Sequence, residues 1–286
     1  MTHRTVRTKF ASRREDIADL VTRRPVHEMA ELNPFLFINH HGPQVYPPHN
    51  RGLPFGPHPH RGFETVTFIV EGSLVHRDTA GHESAIGAGG IQWMTAGSGI
   101  EHSETSSDEF MQRGGPLEIL QLWVNLPAKL KMTAPRYRGL QKADIPSFDQ
   151  DGATVHLIAG EWDGHQGPIQ SLTGLTLMTV ELKAGARLTL PAPRDRRLFL
   201  YVVRGEIRVS GTAANSFQLV DLNDDGDAVE IEGSSDALII FGHADPLNEP
   251  IVAQGPFVMN TREEIVQTIR DYQSGAFGAP LPGSAG

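Results

Sequence analysis

The chain has 286 residues, of which 39 % are hydrophobic and 21 % charged, a composition that supplies a sizeable core and excludes wholesale disorder. Its formal net charge of −9 argues against direct binding to nucleic acid, which needs a basic surface. The sequence contains no cysteine, which excludes disulfides, iron–sulfur clusters and thiol nucleophiles, whereas its 13 histidines are many for this length.

The N-terminal twenty residues are rich in arginine but contain no apolar block, so they do not predict a secretory signal. The acidic residues Glu15, Asp16 and Asp19 argue against an organellar presequence. No stretch approaches the roughly 18 apolar residues of a membrane span. We therefore expect a cytoplasmic protein with no membrane partner.

Short β-branched and aromatic runs between glycine and proline turns predict an all-β fold. The predicted strands cover residues 63–70, 74–77, 117–124, 175–182, 198–203, 206–209, 228–232 and 237–241. The polar, turn-rich segment 143–152 lies near the midpoint, and a strand–Gly–strand pattern occurs on both sides of it, at 69–78 and 202–211. We predict two similar β-barrel halves, residues 1–143 and residues 144–286.

One helix is predicted near the C-terminus. Thr261 and Glu264 have the spacing of a capping box, in which each residue bonds to the backbone N–H of the other. Behind them Ile265 and Ile269 form an apolar stripe at helical spacing. Gly275 is expected to end this short helix.

A first pair of candidate metal ligands lies in the segment Gly-Pro-His-Pro-His at residues 56–60. The prolines favour extended geometry around His58, and alternate residues of an extended chain face the same side. His58 and His60 should therefore point together, as two imidazoles of a metal site do.

A second pair follows after 41 intervening residues, where His102 and Glu104 repeat the same spacing. The two pairs would supply four ligands from neighbouring strands of one barrel. Two solvated polar loops are the structural alternative for the same residues.

The segments around these residues resemble the two metal-binding motifs of the pirin family, a branch of the cupins. The motifs read FGPHPHRGFETVTFIVEG at 55–72 and GGIQWMTAGSGIEHSE at 89–104, and further resemblance lies at 117–137 and 255–278. Resemblance covers the chain from about Phe35 to Gly278. It implies two cupin (jelly-roll) barrels packed face to face, with a metal in the N-terminal barrel.

Carried over to this sequence, the family's ligands fall on His58, His60, His102 and Glu104. Glu64 lies where many other cupins have a ligand carboxylate, and we expect it next to the metal ligands without binding the ion. The alternative has Glu64 as the ligand and Glu104 as a free base.

The second half of the chain has no comparable motif. Segment 191–209 has Arg and Asp where a His-x-His would be needed, and His243 stands alone. We expect His243 to pack or cap, and the second barrel to lack a metal site.

Three neutral imidazoles and one carboxylate leave a divalent ion with a net charge of +1, which favours an anionic chelator. Four protein ligands on an octahedral ion leave two positions open. The donor set suits Fe, Cu, Ni, Mn, Co or Zn, and the resemblance favours Fe(II) with no organic cofactor.

The resemblance also implies a quercetin 2,3-dioxygenase activity. The metal would chelate the 3-hydroxyl and 4-carbonyl of a flavonol, and Glu104 would accept the hydroxyl proton. Dioxygen would then open the ring and release carbon monoxide.

A second hypothesis is a metal- or redox-responsive regulator, because pirins are also associated with transcriptional co-regulation and with control of metabolic enzymes through protein partners. A structural or storage-type bicupin is a third, which the intact metal motif disfavours.

Other histidines carry no ligand pattern. His40 and His41 lie in the Pro/Gly-rich segment 35–50 and are expected at the surface, with a place at the mouth of the metal pocket as the alternative. His76 and His82 lie near a predicted hairpin turn and are expected to be solvated.

Overall fold

The computed structural model describes residues 1–25 and 32–283. Its first half contains β1 (Val6–Ala11), β2 (Arg13–Arg14), β3 (Thr22–Arg24), β4 (Phe35–Tyr46), β5 (Phe55–His60), β6 (Phe63–Glu71), β7 (Ser73–Asp78), β8 (Glu83–Gly87), β9 (Ile91–Thr95), β10 (Ile100–Thr105), α1 (Asp108–Arg113), β11 (Gly115–Asn125) and β12 (Arg136–Leu140), with 3₁₀ turns at Ala128–Leu130 and Lys142–Asp144.

The second half contains β13 (Ser147–Gln150), β14 (Ala153–Ala159), β15 (Glu161–Trp162), β16 (His165–Gln166), β17 (Thr176–Leu182), β18 (Arg187–Pro191), β19 (Arg197–Arg204), β20 (Glu206–Val209), β21 (Thr212–Asn215), β22 (Gln218–Leu222), β23 (Ala228–Gly233), β24 (Ala237–Ala244), β25 (Val252–Gln254), β26 (Phe257–Met259) and α2 (Arg262–Gln273). Each predicted strand is present, with ends that differ by at most three residues.

The predicted capping box is confirmed, because Oγ1 of Thr261 accepts from the Glu264 amide at 3.2 Å and the Glu264 carboxylate accepts from the Thr261 amide at 2.9 Å.

Two jelly-roll barrels each consist of a seven-stranded and a four-stranded antiparallel sheet, and the second includes β1 from the first half of the chain. In the first barrel the orders are β12-β9-β6-β11-β4-β3-β2 and β5-β10-β7-β8, and in the second they are β1-β22-β19-β24-β17-β14-β13 and β18-β23-β20-β21. The two seven-stranded sheets face each other across one apolar cluster, to which Val66 and Leu122 contribute from the first barrel and Leu177 and Phe199 from the second. The predicted all-β bicupin architecture is thus confirmed.

Each end of the chain packs outside the barrel that most of its own half forms. β1 lies at the edge of the second barrel's large sheet, where it pairs with β22. The C-terminal segment returns to the first barrel, since Phe257 forms a bridge with Arg61, and the amide of Val258 donates to the Arg61 carbonyl at 3.1 Å. Each end therefore packs on the opposite barrel, and Pro256 is carried to the predicted metal motif.

Candidate metal centre

Two paired strands of the first barrel bring the three predicted histidine ligands together. β5 and β10 are antiparallel, with His58 opposite His102 and His60 opposite Ile100. One nitrogen from each of His58, His60 and His102 lies within 4.8 Å of the others. His60 and His102 are buried and His58 is half-buried, so the cluster opens on the His58 side.

Hydrogen bonds fix which ring nitrogens face the cluster. Nδ1 of His58 donates to the Gly56 carbonyl at 2.7 Å, and Nδ1 of His60 donates to the Pro256 carbonyl at 3.3 Å. A metal-binding histidine is typically oriented by a bond of this type. Because both protons sit on Nδ1, each Nε2 has a lone pair available for an ion.

The three side chains fit a transition-metal ion. Nε2 of His60 is buried and has no hydrogen-bond partner among the described residues. Nε2 of His58 and Nε2 of His102 are 3.1 Å apart, and two nitrogens at right angles on one ion, each at about 2.1 Å, are separated by about 3.0 Å. Burial, together with neighbouring imidazoles, holds the pKa values of His60 and His102 well below the usual range. The rings are therefore neutral, which is the form that binds metals.

Glu104 lies in the same cavity, outside the three-histidine cluster. Its Oε1 accepts from Oγ1 of Thr67 at 3.0 Å and from Nε2 of Gln92, and its Oε2 accepts from Nε2 of Gln121 at 2.6 Å. A carboxylate has about four lone-pair sites. With three donors in place, one site on Oε2 is left for a proton or a further ligand.

The two glutamine amides that hold Glu104 are themselves oriented. Nε1 of Trp123 can only donate, and it donates to Oε1 of Gln121 at 2.9 Å. The hydroxyl of Tyr137 donates to Oε1 of Gln92 at 3.2 Å, and burial raises the pKa of Tyr137 to about 12, so the phenol keeps its proton. Both amides therefore present N–H groups to the carboxylate. No sequence motif singled out Gln92, Gln121, Trp123 or Tyr137. Alternation along β9 and β11 nevertheless places the two glutamines on the inner face of the sheet.

The cavity over the centre has a volume of about 220 Å³. Besides the metal motif, its walls consist of apolar and polar side chains from β4, β5, β6, β11 and the C-terminal segment, namely Asn39, His41, Phe55, Thr67, Ile119, Gln121, Trp123 and Pro256. An enclosure of this kind shields reacting groups from water on most sides.

Glu64 belongs neither to the three-histidine cluster nor to the walls of the cavity. Gly62 turns the chain between β5 and β6, and alternation along β6 puts Glu64 on the face of Val66, opposite Thr67. Its carboxylate is buried and accepts from Oγ1 of Thr95 at 2.7 Å, and burial raises its pKa. The position predicted for Glu64, next to the metal ligands, receives no support from this geometry.

Three histidines expected at the surface are buried. His40 and His41 belong to β4 rather than to a loop, and they are 0 % and 3 % exposed. His76 is also fully buried, with its ring stacked on Tyr137 at a centroid distance of 4.0 Å and its Nε2 bonded to Asp78 at 3.0 Å. His82 is partly exposed, as expected for a residue at a turn.

The interior of the second barrel is filled by apolar side chains, among them Leu157, Val180 and Leu200. His243 is buried at the end of β24, and burial lowers its pKa to about 3. The ring is therefore neutral and packed, in keeping with the packing role expected for it.

Comparison with known proteins agrees with this architecture. The family model for Pirin matches residues 16–124, and that for the Pirin C-terminal cupin domain matches residues 177–278. A pirin-like protein of Solanum lycopersicum is 38 % identical, with 96 % of this chain and 93 % of the relative covered. Pirin of Mus musculus is 37 % identical, with 88 % and 85 % covered.

A solved structure of quercetin 2,3-dioxygenase from Acinetobacter baumannii superposes with a TM-score of 0.91 at 31 % identity, over 98 % of this chain and all of that one. Two facing jelly rolls with one three-histidine cluster define a bicupin with a candidate mononuclear metal centre. The chain belongs to the pirin family. Neither helix in the described ranges has the length and apolar character needed to cross a membrane.

Proposed function

We propose that this protein is a mononuclear metal-dependent dioxygenase that opens a flavonol ring of the quercetin type and releases carbon monoxide. The observation that carries the proposal is the convergence of three imidazoles beside a cavity that also contains a carboxylate held by three hydrogen bonds. The name of the solved Acinetobacter baumannii relative supports the same reaction.

His58, His60 and His102 would hold the ion, which we expect to be Fe(II), with no organic cofactor. Glu104 would complete the ligand set or remain beside it, as its position in the same cavity allows. When bound, the ion supplies Lewis acidity for an enolate oxygen and a place for dioxygen to react.

The chain's own acid–base chemistry centres on Glu104. Its carboxylate is oriented by donors from Thr67, Gln92 and Gln121, and one lone pair of Oε2 is left for the 3-hydroxyl proton of the substrate. Such fixed hydrogen bonds keep a general base in place without reorganisation during proton transfer. Trp123 and Ile119 supply apolar wall that limits access of water.

The test is carbon monoxide release from iron-loaded protein supplied with quercetin in air. We expect release from the wild type, and we expect Glu104→Gln to abolish it while most of the metal is retained, because only the base is lost. Undiminished release from Glu104→Gln would refute the role of the base.

No release from wild-type protein at full metal occupancy would refute the dioxygenase. A metal-responsive regulator that acts through a protein partner would then be the better account. Partner capture with metal-loaded and metal-free protein would follow in that case.

A further inference from the structure

The cavity over the metal centre has a fourth histidine, which is not part of the three-histidine cluster. His41 projects from β4 opposite Ile119 of β11, and both residues line the cavity with His58 and Glu104. The side chain is 3 % exposed, so it is a wall of the cavity and not a surface group.

The protonation of His41 is set by Thr22. A hydroxyl has one hydrogen, so Thr22 satisfies both of its contacts only when it donates to the Leu20 carbonyl at 3.2 Å and accepts from Nδ1 of His41 at 2.9 Å. Nδ1 therefore carries the ring proton and Nε2 has the lone pair. Among the described residues Nε2 has no hydrogen-bond partner.

Burial lowers the pKa of His41 to about 3, so the ring stays neutral at ordinary pH. The Phe55 ring lies against it with a centroid distance of 5.0 Å and holds its plane. His41 thus presents one fixed, uncharged acceptor to the cavity.

Asn39 presents the complementary group. It lies two residues from His41 on the same face of β4, and it lines the same cavity. Its Oδ1 accepts from Nε of Arg24 at 3.0 Å, and because a guanidinium only donates, the amide orientation is fixed. The Nδ2 hydrogens are then available to a ligand oxygen.

We propose that His41 and Asn39 together recognise a hydroxyl-bearing part of the ligand other than its chelating oxygens. A hydroxyl gives its hydrogen to Nε2 of His41, and a neighbouring hydroxyl oxygen accepts from Nδ2 of Asn39. Adjacent hydroxyls on an aromatic ring match this donor–acceptor pair. His41 and Asn39 would therefore select, among chelating enols, those that also carry adjacent hydroxyls, a selection that rests on the proposed function.

The test compares quercetin with galangin, which shares the 3-hydroxyl and 4-carbonyl but lacks both hydroxyls of the pendant ring. Dissociation constants are measured on Zn(II)-loaded protein, which binds without turnover. One net hydrogen bond contributes about 0.5–1.5 kcal/mol and each 1.4 kcal/mol is about tenfold in affinity. We expect wild-type protein to bind quercetin about tenfold more tightly than galangin.

His41→Leu should weaken quercetin binding about threefold, the share of one of the two hydrogen bonds, and leave galangin binding unchanged. His41→Gln, which keeps an acceptor oxygen, should recover part of the preference and guards against a folding defect in the leucine variant. His156→Leu, on the second barrel, is the matched control and should leave both constants unchanged.

Equal affinities in the wild type, or equal losses for both probes in His41→Leu, would overturn the inference. Because the readout is binding, a protein that discriminates the probes but never consumes oxygen would refute the proposed dioxygenase and still support the recognition by His41.

Discussion

Gln121 donates from Nε2 to Oε2 of Glu104 at 2.6 Å, and its Oε1 accepts from the indole N–H of Trp123 at 2.9 Å, which fixes the orientation of the amide. The contact makes the proposed base depend on the orientation of a neutral amide. A charged group in place of that amide would repel the carboxylate instead of holding it.

Gln121→Glu should therefore lower quercetin turnover at least about tenfold, with metal content unchanged, since a hydrogen bond to a charged group contributes about 1.5–3 kcal/mol. Turnover and bound metal are measured on the same preparation. Gln150→Glu, at an exposed position of β13, adds the same charge and should leave turnover unchanged. If Gln121→Glu keeps full activity, Glu104 does not need this partner.

A buried polar network joins the two barrels. Glu118 of the first barrel is fully buried and accepts from Nε2 of His40 at 2.8 Å and from Arg204 of the second barrel, while Nδ1 of His40 bonds to the Tyr201 hydroxyl at 2.9 Å. Glu118→Ala leaves buried polar groups unpaired and should lower the free energy of unfolding by about 3 kcal/mol.

The matched control for this substitution is Glu71→Ala. Glu71 pairs with the same Arg204 at 2.9 Å, but its side chain is 38 % exposed. Exposed pairs contribute about 1 kcal/mol or less. Urea unfolding should therefore show a larger loss in the free energy of unfolding for Glu118→Ala than for Glu71→Ala. Equal losses in the two variants would contradict the importance of the buried pair.

Burial of Lys131 should make the free energy of unfolding depend on pH. Its buried ammonium donates to the carbonyls of Gly62 and Val258 and to Oδ1 of Asn125, and it thereby ties the C-terminal segment to the metal motif. Burial lowers its pKa from 10.5 to about 8, although Glu249 and Glu264 act in the opposite direction.

Between about pH 8 and pH 10.5 the unfolded lysine keeps a proton that the folded one releases, so stability from this group rises with pH. The free energy of unfolding of the wild type, minus that of Lys131→Met, should increase by about 1–2 kcal/mol from pH 8 to pH 9.5. Lys129→Met, at an exposed position, should show no such trend. A difference that is flat or falls with pH would refute the lowered pKa.

Local rules predict much of this fold and the centre of its site. Alternation alone places His58 and His60 on one face, and pairing of β5 with β10 adds His102. Alternation counted from His60 does not extend past the turn at Gly62, so it does not give the face of Glu64, which is that of Val66.

Long-range packing is what the sequence does not reveal. Proline and glycine in the segment 35–50 suggest a loop, whereas pairing with β11 and β3 makes it the long strand that buries His40 and His41. The exchange of chain ends between barrels, which brings Pro256 to His60, involves residues nearly 200 positions apart and has no local signal.

The most direct measurement of the central claim is oxygen uptake by iron-loaded protein with quercetin, at verified metal occupancy, against His102→Ala. The account predicts uptake by the wild type, and loss of both bound iron and uptake in the variant, because His102 supplies one of three clustered imidazoles. Equal uptake by His102→Ala, or none by the fully loaded wild type, would contradict it.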